Sequence, residues 1–312
     1  MNNSGITPYI KIARLDHWFK NVFMLPGVLV AVYIDHIQIN GIFFFKVAIA
    51  LLVLGLVASS YYVLNEILDA DRDRFHPVKK NRPVPLGQIN ISIGYILWLL
   101  LGAAGIALAT TLGKGVLYSS IILWFMGCLY NIPPVRTKEK PYLDVLSESV
   151  NNPLRLLVGW YATGTQLTAP ISLLLSYWMI GAFFMAVKRY AEYVHINDPD
   201  RAAAYRESFR HYSKERLLIS IIYYTSAFAL FFGIFLIRYR IELILSVPLI
   251  AGFVAWYMHL GFQENSPVQY PEKLYRQKGF VIYTLFTMTL CLALLYIEIP
   301  ALKTIFAQTM IR

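Results

Sequence analysis

The sequence predicts an all-α polytopic membrane protein, a single transmembrane domain over residues 1–312 built as a bundle of nine spans. Three observations carry this. Of the 312 residues, 57% are hydrophobic and only 15% are charged, where a soluble domain carries about a quarter charged. The apolar residues gather in runs of about 20, the length that crosses a hydrocarbon core. And 21 of the 28 Lys and Arg fall on one side of the helices so defined.

The spans are expected near 22–38, 42–66, 91–113, 116–132, 143–163, 171–194, 217–239, 241–262 and 279–300. The opening MNNSGITPYIKIARLDHWFK is polar and lacks a small-residue cleavage site after a short apolar core, so the first span is expected to be retained. The fourth run is short, and the fifth, LDVLSESVNNPLRLLVGWYATG, is polar. Cys128 and Cys291 lie inside apolar runs without a partner at metal-ligand spacing and read as small packing residues. The N-terminal segment and the loops after spans two, four, six and eight hold 3, 5, 3, 7 and 3 Lys and Arg. The opposite side holds 5, which places the N-terminus and the even-numbered helix ends in the cytoplasm. Topology thereby accounts for the net charge of +10, and no nucleic-acid partner is needed.

The positive-inside bias does not account for the acids in NEILDADRDRFHPVKKNRP, directly after the second apolar run. On a helix Asn65, Asp69 and Asp73 recur at i, i+4 and i+8, nearly one face, with Glu66 alongside. Oxygen ligands so arranged suit Mg²⁺, which keeps waters and shares substrate phosphates. Arg72, Arg74, Lys79, Lys80 and Arg82 beside them would hold a metal-chelated diphosphate from the other side. A solvated loop of mutually neutralised charges is the plainer alternative.

The pattern N-E-x-x-D-x-x-x-D resembles the first aspartate-rich motif of the UbiA-type intramembrane prenyltransferases, and the trailing D-R-x-H-P-x-K-x-x-R-P is similar to theirs. The resemblance implies a nine-helix bundle with cytoplasmic active-site loops, Asp69 and Asp73 as catalytic residues, and Asn65, Glu66, Asp69 and Asp73 as Mg²⁺ ligands. It extends a substrate-binding role to Arg72, His76, Lys79 and Arg82.

Most members of that family carry a second D-x-x-x-D at the end of helix six. Here the position reads AVKRYAEYVHINDPD, with Glu192 the one carboxylate left as a metal ligand and Lys188, Arg189 and Tyr190 beside it. Exchanging an acid for two cations favours direct phosphate contact; snorkelling to the interface is the bland reading. K-R-Y-A-E resembles the decaprenyl-phosphate phosphoribosyltransferase branch, and LDHWFKNVFMLPG resembles its entry to helix one through Trp18, Lys20 and Asn21, with Arg14 and His17 nearest to the usual Arg and Gln. Tyr130, Arg136, Lys138 and Asp144 occupy the family's Tyr, basic pair and helix-five Asp. Glu148, Asn151, Asn152 and Arg155 fall in a segment that must cross the bilayer or line its cavity, where ionisable groups face the bundle interior. They form either a polar cavity wall or an interhelical clamp; Arg155 matches an Arg of the phosphoribosyl branch.

The resemblance implies Mg²⁺-dependent transfer of 5-phosphoribosyl from 5-phosphoribosyl diphosphate to a polyprenyl phosphate, in a prokaryotic cell membrane and with its lipids as partners. Prenyl transfer from a polyprenyl diphosphate uses the same metal logic. A transporter would place its charges at the midplane rather than at helix ends. A homo-oligomer is left open.

Overall fold

The structure is a computed structural model that describes residues 5–74 and 79–306. Among them every regular element is helical. They fall into two compact units, one within Met1–Ala169 plus Ala203–Ser208 and the other within Pro170–Ala202 plus Phe209–Arg312.

The first unit begins with α1 (Thr7–Ile12) and a 3₁₀ segment, Leu15–Met24, that runs directly into α2 (Leu25–Asp35). Pro26 sits in the first turn of α2, where its missing N–H has no intrahelical partner to lose. α3 (Gly41–Asp73) is capped by Asn40, whose Oδ1 accepts from the Phe43 N–H at 2.9 Å. Its 33 residues rise roughly 50 Å, well beyond a hydrocarbon core of about 30 Å. The surplus carries the acidic residues out past the apolar stretch. The helix expected to close near 66 thus continues unbroken to Asp73, because cations meet its acids, as described below.

α4 (Ile91–Thr110) is capped by Asn90 and packs along α3. α5 (Lys114–Asn131) follows, then α6 (Leu143–Ser149) and α7 (Asn151–Ala162). The expected fifth span is therefore split at Val150. Pro153 has no N–H to return to the Ser149 carbonyl, which removes one rung of the ladder at the break. The core of the unit is Val53, Leu54 and Val57 of α3 against Leu123 of α5 and Val158 of α7.

α2 and α7 meet backbone to backbone. A Cβ added at Gly27 would lie 2.1 Å from the Leu156 carbonyl oxygen, and one at Gly159 would lie 2.1 Å from that of Met24. Only glycine permits this approach, as in small-residue helix contacts in membranes. Gly159→Ala is expected to lower the thermal midpoint in detergent by an amount equivalent to about 1–3 kcal/mol, the usual cost of overpacking. An unchanged melt would show the contact to be loose.

In the second unit α8 (Ile171–Ile196) precedes α10 (Lys214–Tyr239), which packs along α8 and is capped by Ser213; α9 (Pro199–Tyr205), between them in sequence, is divided at Ala202 between the two units. A 3₁₀ turn, Ile241–Ser246, leads into α11 (Val247–Gly261); α12 (Lys278–Tyr296) and α13 (Pro300–Ile305) complete it. Phe183, Phe184, Phe253, Tyr257 and Phe280 form its aromatic centre.

By length and apolar composition seven segments among the described residues can cross a membrane: 7–35, 41–73, 91–110, 171–196, 214–239, 241–261 and 278–296. The segments expected as the fourth and fifth spans form α5 and the broken pair α6–α7, and neither is among these seven.

Candidate active site

The site is built at the far end of α3. Because the helix is continuous, Asn65, Asp69 and Asp73 follow one another a turn apart. Asp69 is the hub. Its Oδ1 accepts from Lys138 Nζ at 2.6 Å and from Arg136 Nη2 at 2.7 Å, and its Oδ2 accepts from Asn65 Nδ2 at 3.1 Å. Asn131, buried at the end of α5, closes the ring by accepting from Asn65 Nδ2 at 2.6 Å and from Lys138 Nζ at 2.9 Å. Burial pushes the Lys138 ammonium down to about 8, against the pull of Asp69, which favours its charge.

One turn further, Asp73 Oδ2 accepts from Arg82 Nη1 at 2.5 Å, and Lys79 Nζ lies 3.8 Å from its other oxygen. Burial and the neighbouring Arg14 lower Arg82, while Asp73 and Glu66 oppose the shift. Arg72 Nη1 reaches Glu139 Oε1, and Arg136 Nε lies 2.5 Å from the same oxygen. His76 lies outside the described residues.

Glu66 does not join this face. One residue after Asn65, it is rotated about 100° around the helix and is 1% exposed. Its Oε1 accepts from the Val84 N–H at 3.2 Å, and its Oε2 lies 3.4 Å from Arg14 Nη2. Its carboxylate is committed to the polypeptide.

A second polar group lies deeper in the unit. Arg155 Nη2 of α7 donates to Tyr61 Oη at 2.7 Å, and Lys20 is close enough for its charge to act on the same tyrosine. Tyr130 Oη donates to Glu148 Oε2 at 2.9 Å. Asn21 is buried, and its Oδ1 has no hydrogen-bond partner among the described residues. Trp18 holds this segment on α3: its Nε1 donates to Ser59 Oγ at 2.9 Å, and its ring lies where a Cβ at Gly55 would stand. Asp144 is fully buried; Ser208 Oγ donates to it at 3.3 Å, and Arg206 Nη1 forms an ion pair with it at 3.9 Å.

In the second unit the K-R-Y-A-E stretch ends α8. Arg189 is 1% exposed and donates from Nη1 to Glu192 Oε2 at 3.2 Å, and Lys188 Nζ lies 4.0 Å from Glu192 Oε1. Tyr190 packs edge-on against Phe262. Here the carboxylate is held by the two cations of its own helix.

No group of three or more His, Cys, Asp and Glu converges among the described residues. What α3 offers a metal is a sparse set: one amide and two carboxylates, a turn apart. That set suits a hard divalent cation which keeps waters and takes its other ligands from phosphate. Asn65, Asp69 and Asp73 fit such an ion; the enclosed Glu66 does not.

The profile of the UbiA prenyltransferase family matches residues 23–285. The chain belongs to this family. As a UbiA-family protein it is a transferase and an integral membrane protein. It is 29% identical over 213 residues, 67% of either chain, to decaprenyl-phosphate phosphoribosyltransferase of Mycobacterium tuberculosis strain H37Rv. To the enzyme of that name from Corynebacterium glutamicum it is 32% identical over 184 residues, 59% of this chain and 54% of the relative. Among solved structures it is similar to a UbiA homologue from Archaeoglobus fulgidus bound to GPP and Mg²⁺, with a TM-score of 0.69 at 18% identity, covering 93% of this chain and 100% of that one. That likeness establishes the UbiA fold.

Two residues of this candidate site escape a reading of the sequence. Asn131 looks like an ordinary helix residue, and only the following Ile-Pro-Pro, which ends α5, marks it as a terminus. Glu139 hides between two lysines as a solvated charge.

Proposed function

We propose that this UbiA-family transferase moves 5-phosphoribosyl from 5-phosphoribosyl 1-diphosphate to a polyprenyl phosphate, with Mg²⁺ and with release of diphosphate. The observation that carries it is the end of α3. There Asn65, Asp69 and Asp73 share a face, and each carboxylate is met by loop cations that can turn to phosphate. The choice of a ribosyl donor rests on the single acid, Glu192, between Lys188 and Arg189, and is supported by the names of the relatives. The reading includes nine spans, with α5 and the α6–α7 pair as the fourth and fifth, and a cytoplasmic active site.

Asn65, Asp69 and Asp73 would hold Mg²⁺, which supplies charge neutralisation at the diphosphate. Arg136, Lys138, Lys79 and Arg82 orient that diphosphate, with Arg72 at its edge. A lipid phosphate oxygen attacks C1 of the ribose, and the bond from C1 to the diphosphate oxygen breaks with its electron pair leaving on the diphosphate. The nucleophile is already anionic near neutral pH, so no side chain has to remove a proton. Positioning and electrostatics then carry the rate. Lys20 and Arg155 are assigned to a remaining phosphate of the substrates; Lys188 and Arg189 take a phosphate-binding role on the resemblance of K-R-Y-A-E alone. Asn21, Tyr130 and Tyr190 support them. Glu66 anchors the segment around Val84 behind the acids.

The test offers purified protein two substrate pairs with Mg²⁺: labelled 5-phosphoribosyl diphosphate with polyprenyl phosphate, and polyprenyl diphosphate with an aromatic acid. Label in the lipid from the first pair alone is expected. Product from the second pair alone would replace ribosyl by prenyl transfer.

A further inference from the structure

Arg72 and Arg136 reach the same oxygen of one carboxylate, Glu139 Oε1. Two guanidinium groups converging on one anionic oxygen is the arrangement a phosphate oxygen would draw. The contact is imperfect. Arg136 Nε is buried, and although it lies 2.5 Å from Glu139 it makes no hydrogen bond there. Arg136 also has φ +31° and ψ +60°, the left-handed region, and is not glycine. Such a backbone persists only where its surroundings hold it. Here its side chain is hydrogen-bonded to Asp69 through Nη2 and only ion-paired with Glu139 at Nε. Glu139 keeps a quarter of its side-chain surface exposed and Arg72 more than half, so the acid can swing away into solvent.

We propose that Glu139 is an internal stand-in for a phosphate, a latch on Arg72 and Arg136 that an incoming diphosphate displaces. The proposal rests on the reading of this site as a diphosphate site. Glu139 would then set the affinity for the donor: strong enough to keep two cations neutral at rest, weak enough to yield to a doubly charged competitor.

The probe is inorganic diphosphate with Mg²⁺, its binding measured calorimetrically on the full chain in detergent. Glu139→Gln is expected to bind about five-fold more tightly than the unaltered protein, the size of one partly exposed ion pair. Glu139→Asp keeps the charge but shortens the reach, and is expected to tighten binding about two-fold. Asp71→Asn removes the same charge from a neighbouring residue whose side chain is 94% exposed and pairs only loosely with Arg74 at 3.7 Å; it should change little. A variant merely damaged in structure would bind more weakly, so tightening distinguishes a latch from a support. Equal affinity in all four proteins, weaker binding in both Glu139 variants, or equal tightening in Asp71→Asn overturns the latch and leaves the diphosphate site standing. No binding in any of the four overturns the site reading and the latch with it.

Discussion

Asp69→Asn is expected to reduce turnover about a thousand-fold, the scale of losing a preorganised electrostatic contact to developing charge, while the protein still folds. The substitution keeps the shape of the side chain and an oxygen for Lys138 and Arg136 to approach. What it removes is the negative charge that a divalent ion would need from the centre of the face. Folding survives because Lys138 retains its bond to Asn131, and because burial has already brought its ammonium down to about 8, so that it can shed its charge at little cost. The check is a single-turnover rate together with a thermal melt and a Mg²⁺ titration. A near-normal rate with an unshifted Mg²⁺ requirement would remove Asp69 from the metal site.

Lys138→Met is expected to lower both stability and rate. Lys138, like Asn65, touches Asp69 and Asn131 at once, and of the two it alone carries a charge. Its loss strips a mostly buried carboxylate of its nearest cation. Breaking a buried pair from one side costs about 3–5 kcal/mol, and Arg136, still 2.7 Å from Asp69, should keep the cost near the lower figure. Turnover is expected to fall about a hundred-fold through misplacement of Asp69. The decisive measurement is a double-mutant cycle with Asp69→Asn. Strong coupling in the melt, of about 1–3 kcal/mol, is expected. Additive effects would mean that the two residues act separately.

Much of the site was legible because helices make spacing geometric. Asn65, Asp69 and Asp73 needed only a helix that continued past 66, and the register of the acids predicted what the drop in hydropathy there concealed. The basic residues of the 136–138 loop were legible as charges but not as partners. Their contacts with Asp69 span 67 and 69 positions of sequence, a separation that local pattern cannot bridge. Glu66 shows the opposite limit. Its place in the motif groups it with the metal ligands, but a step of one residue on a helix turns a side chain away from its neighbour, and burial decided the rest. The break at Val150 was written in Pro153 but obscured by the length of the run around it. Glu139 was invisible for a different reason: its meaning lies in two arginines, 67 and three residues away, sharing one of its oxygens.

The pairing of every acid at the end of α3 with a basic side chain has a thermodynamic consequence. Admitting an anion alone would strand Asp69 and Asp73 without their cations, and admitting a divalent ion alone would strand Arg136, Lys138 and Arg82 without their acids. Each guest makes room for the other by taking the partner that the other releases. On the proposed reading, binding at this site would be an ion exchange, and linkage would require each ligand to raise the affinity for the other by the same factor.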